Sequence, residues 1–302
     1  MGSSIFNTKK KSDSEPPVIT KSSESTLTMT NETFANLRLF IYKSCGIYFQ
    51  DSKKYLLESR ISKRLNSLGL KSFDDYLKYL NSPSGRQELN QLFEVITINE
   101  TYFFREEQQI EAFEKIIIPD VVKSLTNKVN PTIRIWSAAC STGEEPYTLA
   151  LVIMEKLKPL YPNIQFQILA SDINKGVIET AKRATFKDYS IKNVPPNYLS
   201  KYFTQQTNTY ILNDDVKDTV KFIQMNLFDP AAMKTVINCD VIFCRNVLIY
   251  FDVPSKQQVV SSIYDSLNRG GYLFIGYSES LHGITKAFKL VHLQKSMAYQ
   301  KE

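Results

Sequence analysis

Apolar residues change their spacing twice along the chain. In SKKYLLESRISKRLNSLGL, Leu57, Ile61, Leu65 and Leu68 recur every three to four positions and Gly69 closes the run. NETFANLRLFIYKSCGI, SFDDYLKYLNS and RQELNQLFEVITI keep the same rhythm. That period puts the apolar residues on one helical face, so this stretch is expected to be an all-helical domain. A further helix is expected from Glu106 to Leu125. Beyond it, short branched and aromatic runs at 133–138, 164–172, 219–226, 240–246 and 271–277 read as strands. Helical stretches at 144–157, 174–184 and 255–268 separate most of them. Strands alternating with helices make a mainly parallel sheet covered on both faces, a doubly wound α/β domain. The tail FKLVHLQKSMAYQK has no helix after it and reads as one antiparallel edge strand. Between Ala184 and Lys221 the alternation lapses. There NTYILNDDVKDTVKF reads as strand, Asn-Asp-Asp turn and strand, within a small antiparallel insertion at about 186–218.

The 302 residues thus divide into a polar tail at 1–28, an all-α domain at 29–96 and an α/β domain at 97–302. The tail is rich in Ser, Thr and Lys and lacks the large apolar residues that offset the entropy of ordering, so it is expected to be disordered. Apolar runs such as VIFC and YLFIGY fall far short of the roughly 20 residues a membrane helix needs. With no apolar signal core near the N-terminus, a cytoplasmic location and no membrane insertion are expected. Four cysteines without paired spacing fit reduced thiols, and two histidines cannot build a His-rich metal site. A net charge of +6 leaves nucleic acid, a membrane surface or an acidic protein open as partners.

In doubly wound folds the ligand sits beyond the carboxyl ends of the strands. The first strand runs into Ala138-Ala139-Cys140-Ser141-Thr142-Gly143 and then Glu144 and Glu145. The second ends in Asp172, the third in Asn226 and the fourth in Arg245-Asn246. One glycine followed by two carboxylates is a poor phosphate cradle, because like charges would repel. It suits a cationic nucleoside such as S-adenosylmethionine, whose ribose hydroxyls a carboxylate like Asp172 can accept. Asp172 alone also fits a helix-capping role.

Several long motifs stand in order: TINETYFFRE (97–106), WSAACSTGEEPYTLA (136–150), ASDIN (170–174), FCRNVLIYFD (243–252) and GYSESL (276–281). With them the chain resembles the CheR-type chemotaxis methyltransferases from about Asn31 onward. The resemblance implies a Rossmann-like methyltransferase domain that uses S-adenosylmethionine and no metal. It implies methyl transfer to glutamate side chains on the cytoplasmic helices of chemoreceptors, with S-adenosylhomocysteine as product. By position it surrounds the cofactor with Asn99, Thr101, Arg105, Glu144, Asp172, Asn226, Leu227, Arg245 and Asn246, with Glu145 an open alternative to Glu144. Arg105 and Tyr250 would lie closest to the methyl. Lys53, Arg60, Lys63 and Arg64 on the basic helix would meet the receptor. The insertion can dock a receptor C-terminal peptide in the family, but YFTQQTNTYILNDD is short and has no glycine, so a pentapeptide tether is not expected. A glutamate acceptor is already ionised at neutral pH, so no general base is needed.

Other readings are weaker. YSESL resembles a serine elbow, but residue 280 is Ser rather than Gly and no Asp and His follow in order. A nucleic-acid methyltransferase would use the basic domain on phosphates, yet no RNA-binding motif accompanies it. A silent S-adenosylmethionine-binding regulatory protein would have little use for Arg105 and Tyr250.

Overall fold

The computed structural model describes residues 1–2, 27–125 and 129–302, so the expected tail at 1–28 falls almost wholly outside the described residues. Four helices come first: α1 (Asn31–Cys45), α2 (Lys54–Leu68), α3 (Phe73–Leu80) and α4 (Gly85–Ile96). Thr30 and Ser72 cap α1 and α3 by accepting from the backbone N–H groups of Thr33 and Asp75. Leu57, Ile61 and Leu65 of α2 pack with Leu37, Ile41, Tyr76 and Leu92 in a separate core. The buried carboxylate of Glu88 on α4 accepts two 2.8 Å bonds from Arg64 and one of 2.9 Å from the Tyr76 hydroxyl, tying α2, α3 and α4 together.

Helix α5 runs through Glu107–Ala112, a π-helical turn at Phe113–Ile117, and Ile118–Ser124. The α/β domain then follows as β1 (Thr132–Ala138), α6 (Glu144–Val152), β2 (Gln165–Asp172) and α7 (Lys175–Arg183). The insertion holds β3 (Thr185–Phe186), β4 (Phe203–Gln206) and β5 (Thr209–Leu212). The chain closes with β6 (Val220–Gln224), β7 (Cys239–Cys244), α8 (Val253–Ser266), β8 (Leu267–Ile275), β9 (Phe288–Leu293) and β10 (Ser296–Lys301).

The main sheet has the order β6-β2-β1-β7-β8-β10-β9. Its first five strands are parallel, and β10 is antiparallel to both neighbours. The chain steps outward from β1 to β2 and β6, then returns past β1 to β7, so the direction of winding reverses between β1 and β7. Side chains alternate between two cores. Ile133, Ile135, Val241, Phe243, Tyr272 and Phe274 face the layer built with α5 and α6, whereas Trp136, Ile242 and Leu273 face α8. Each fully buried side chain of this kind contributes about 1.5–3 kcal/mol.

Two expectations change. The tail is a hairpin rather than one strand: it folds at Gln294-Lys295, and β10 enters the sheet beside β8 while β9 takes the edge. Folding back buries both Leu293 and Ala298, which a single extended strand at the edge would not do. In the insertion, the hairpin turn is Thr207-Asn208. The Asn-Asp-Asp run instead opens a short helix, Asp214–Lys217, and the following strand leaves for the main sheet, where Val220 pairs with Ile168. Among the described residues no helix is long and apolar enough to cross a membrane.

Candidate active site

The ends of β1, β2, β6 and β7 open onto one cavity of about 680 Å³. At the exit of β1, the N–H groups of Ala139 and Cys140 both donate to the Ser171 carbonyl, at 2.8 and 2.9 Å, and fold the chain over the end of β2. Ala139 and Ser141 have φ of 69° and 50°, and Gly143, at φ 97°, precedes α6. A Cβ on Gly143 would lie 2.9 Å from the Cβ of Ala181, so the turn requires glycine for both conformation and space. Ala139, Cys140 and Ser141 line the cavity with small side chains.

Asp172, at 7% exposure, accepts from the N–H groups of Ser141 and Asn174, each at 2.9 Å. Burial pushes its pKa upward, opposed by these backbone bonds. Asn174, not Asp172, caps α7 by accepting from Val177. A carboxylate offers about four lone-pair sites, so Asp172 keeps acceptor capacity beyond these two bonds. Glu145 also lines the cavity, accepts a 2.7 Å bond from the Ser137 hydroxyl and pairs with Arg245 at 3.4 Å. Burial raises its pKa and the Arg245 charge opposes the rise. Glu144 is absent from the lining: its oxygens accept from Thr142 and Ser190, which ties the insertion to α6. Of the two carboxylates that the sequence leaves open, Glu145 is therefore the one beside the cavity.

Arg245, 6% exposed, donates to the Arg105 carbonyl and pairs with Glu106 at 3.2 Å as well as with Glu145. Arg105 is half-buried, donates to the Glu100 carbonyl at 3.1 Å and sits 5.8 Å from the Tyr102 ring centre. Tyr250 lines the same space; burial raises its pKa, and the charges of Arg105 and Arg60 pull it back down. Asn226 also lines the cavity, its side chain held in place by donating to the Ser44 carbonyl at 2.8 Å and accepting from the Phe228 N–H at 3.0 Å. Leu227, with Met225 and Ile173, forms an apolar wall, and Asn99, Thr101 and Asn246 complete the lining.

The helical domain supplies the opposite side. Tyr48 donates its N–H to the Tyr250 carbonyl at 2.9 Å, and Ile47 bridges Phe251, so the two domains join at the cavity edge. Lys53 and Arg60 line the cavity, with Arg60 also donating to the Ile96 carbonyl. Lys63 is exposed outside the lining, and Arg64 is held by Glu88. Sequence reasoning missed Lys256 on α8, which lines the cavity from the other domain; one lysine on a mixed helix gives no signal. It also missed the apolar rim of Tyr48, Ile98, Ile249 and Val253, all lining and all exposed. Among the described residues no group of three or more His, Cys, Asp and Glu side chains could hold a metal ion.

A doubly wound domain with a crevice at its winding reversal, lined by carboxylates and small backbone turns, is the framework of a nucleoside-dependent transferase. Comparison with known proteins makes this specific. The family model for the CheR methyltransferase SAM-binding domain matches residues 99–297, and that for the CheR methyltransferase all-alpha domain matches residues 32–97. The chain belongs to the CheR methyltransferase family and is an S-adenosylmethionine-dependent methyltransferase of the chemotaxis class. It is 38% identical to chemotaxis protein methyltransferase 2 of Vibrio cholerae serotype O1, over 91% of this chain and 94% of that protein. It is 35% identical to the chemotaxis protein methyltransferase of Borreliella burgdorferi, over 85% of this chain and 91% of that protein.

The donor set fits that cofactor. Asp172 and Glu145 offer carboxylates to hydroxyl, ammonium and sulfonium groups, and Leu227, Met225 and Ile173 offer an apolar surface to a base.

Proposed function

We propose that this chain transfers the methyl group of S-adenosylmethionine to glutamate side-chain carboxylates of chemoreceptors, leaving glutamyl methyl esters and S-adenosylhomocysteine. The observation that carries this reading is the division of charge within one cavity. The carboxylates of buried Asp172 and half-buried Glu145 lie at the strand ends, where the one buried cation of the lining, Arg245, is already paired with Glu145, while the cations Lys53, Arg60, Arg105 and Lys256 line the rest of it at half-buried or exposed positions. A cationic donor and an anionic acceptor are the pair such a division suits.

When bound, the cofactor supplies an electrophilic methyl on a positively charged sulfur. Asp172 is assigned to the ribose hydroxyls, with Asn99, Thr101, Leu227 and Asn246 around the nucleoside and Glu145 replacing Glu144 on the cationic end. Arg245 and Asn226 line the same cavity with fixed orientations, Arg245 balancing Glu145 and Asn226 fixing the joint with α1. Arg105 orients the acceptor carboxylate by a charge-assisted hydrogen bond. Tyr250 offers a hydroxyl and an aromatic wall beside the methyl. The acceptor is already an anion at neutral pH, so these residues have to align it and exclude water rather than remove a proton.

The apolar rim and its cations suit an amphipathic acidic helix laid across the domain joint. Lys53 and Arg60 are assigned to it together with Lys256, and Lys63 with them as an outer charge. Arg64 is reassigned to holding the helical domain. The reaction is taken to be cytoplasmic. The two-residue turn Thr207-Asn208 leaves little edge for an added strand, which supports recruitment without a C-terminal pentapeptide tether.

Labelled methyl transfer to receptor-rich membranes, RNA and soluble protein, run in parallel, tests the reading. Base-labile label on receptor is expected; stable label, or label on RNA, would replace it with another acceptor chemistry.

A further inference from the structure

The serines of GYSESL have no contact with the cavity: Ser278 and Ser280 are exposed and lie outside its lining. Between them, Glu279 turns inward. Its Oε2 accepts from the N–H groups of Gly276 at 2.7 Å and Asn246 at 2.8 Å, and its Oε1 accepts from Ile249 at 3.2 Å. Among the described residues no cation forms a salt bridge with it. Backbone N–H groups from two loops meet its charge, and an ionised carboxylate, an acceptor at every site, suits such a set of donors.

The anchored loop is the one that carries the chemistry. Asn246 holds φ of 59°, a left-handed conformation that a non-glycine residue adopts at some cost. Three residues on, Ile249 belongs to the short 3₁₀ turn Leu248–Tyr250 that presents Tyr250 to the cavity. Glu279 therefore grips the loop at its second residue, Asn246, and again one residue before Tyr250. Packing is close: a Cβ on Gly276 would lie 2.5 Å from Asn246 Nδ2 and 2.9 Å from Glu279 Oε2.

We propose that Glu279 is a positioning residue for methyl transfer, its carboxylate bridging the loops after β7 and β8 so that Tyr250 is held at the cavity. The inference rests on the reading that Tyr250 lies beside the transferred methyl.

Glu279→Gln separates its two ends. The amide oxygen stays with the stronger pair of donors at Gly276 and Asn246, and the new NH₂ faces the Ile249 N–H, so the Tyr250 end is released. In full-length protein with wild-type melting behaviour, kcat is expected to fall about 10- to 100-fold, the size of effect that a displacement near 1 Å produces. The Kd for S-adenosylhomocysteine should change by less than about threefold, because the transition-state contact and not ground-state binding is lost. Adding Glu279→Gln to Tyr250→Phe should cost much less than it does in the wild-type background, since both act through one side chain. Wild-type kcat in Glu279→Gln, an equal loss of cofactor affinity, or fully additive losses would overturn the proposal. Should Glu279→Gln not fold, Glu279→Asp, one methylene shorter, carries the same three measurements. Failure of the functional reading is distinct: the wild-type protein would then transfer no label to receptor glutamates.

Discussion

The strand-end wall of the cavity and the helical wall facing it are held in opposite ways. At the strand ends, Asp172 accepts from backbone N–H groups, Glu145 from the Ser137 hydroxyl while pairing with Arg245, and the Asn246 N–H donates to Glu279, so their orientations are set before any ligand arrives. Along the other side, the side-chain ammonium groups of Lys53 and Lys256 have no hydrogen-bond or ion-pair partner among the described residues, and Arg60 spends one N–H on Ile96. Preorganisation suits the side that binds a compact nucleoside, because binding then costs little side-chain entropy. Free, flexible charges suit a helical partner whose approach they steer. Under the proposed function, one protein carries a rigid wall for the cofactor and a compliant wall for the partner, joined where Tyr48 meets Tyr250.

The contrast breaks first at Arg245. Arg245→Ala strands Glu106 and Glu145 in a buried setting, and about 3 to 5 kcal/mol of stability should be lost, read by urea unfolding. Lys256→Ala, on the compliant wall, should stay within about 0.5 kcal/mol of wild type in the same assay.

Next in size is Arg105→Ala, expected to lower kcat by about 100-fold with cofactor affinity changed far less, as for a group that orients the acceptor. A matching loss of affinity would move Arg105 from acceptor to cofactor.

Asp172→Ala should weaken S-adenosylmethionine by about 1 to 3 kcal/mol in calorimetry, the range for hydrogen bonds to a charged group. The pH dependence sharpens this. Burial raises the pKa values of Asp172 and Glu145 in the folded protein. Their contribution to stability is therefore fully present below the unfolded values, near 3.9 and 4.3, and is lost as pH rises through the folded ones. On the proposed assignment the cofactor meets both groups charged, so its affinity should fall as pH drops through that same elevated window. In Asp172→Asn the fall should be shallower.

The smallest effect belongs to the two cavity lysines, Lys53 exposed and Lys256 half-buried. Lys53→Glu with Lys256→Glu should raise the KM for receptor several-fold at low salt, with the difference shrinking as ionic strength rises. Arg64→Ala should instead lower the stability of the helical domain, because it leaves the buried Glu88 without its cation.

The sequence by itself determined most of the elements and, through its motifs, the reaction class, but not the hairpin of the tail or the turn of the insertion. Leu57, Ile61 and Leu65 mark a buried helical face because 3.6 residues per turn brings them together. The strand ends name their residues because in a doubly wound sheet every parallel strand delivers its last side chains to the same edge. What the chain could not decide locally is which of two equivalent residues turns inward. Glu144 and Glu145 stand about 100° apart on α6, so only one can face the cavity, and the choice rests with Ser190 in the insertion and Arg245 at the end of β7. Arg60 and Arg64 share a face of α2, yet one meets the carbonyl of Ile96 and the other the carboxylate of Glu88, partners 36 and 24 residues away. Glu279 gave no sign beside its two serines, since two of its donors, Asn246 and Ile249, lie in a loop 33 and 30 residues earlier. Such assignments depend on contacts between distant segments, and periodicity carries information only about neighbours along the chain.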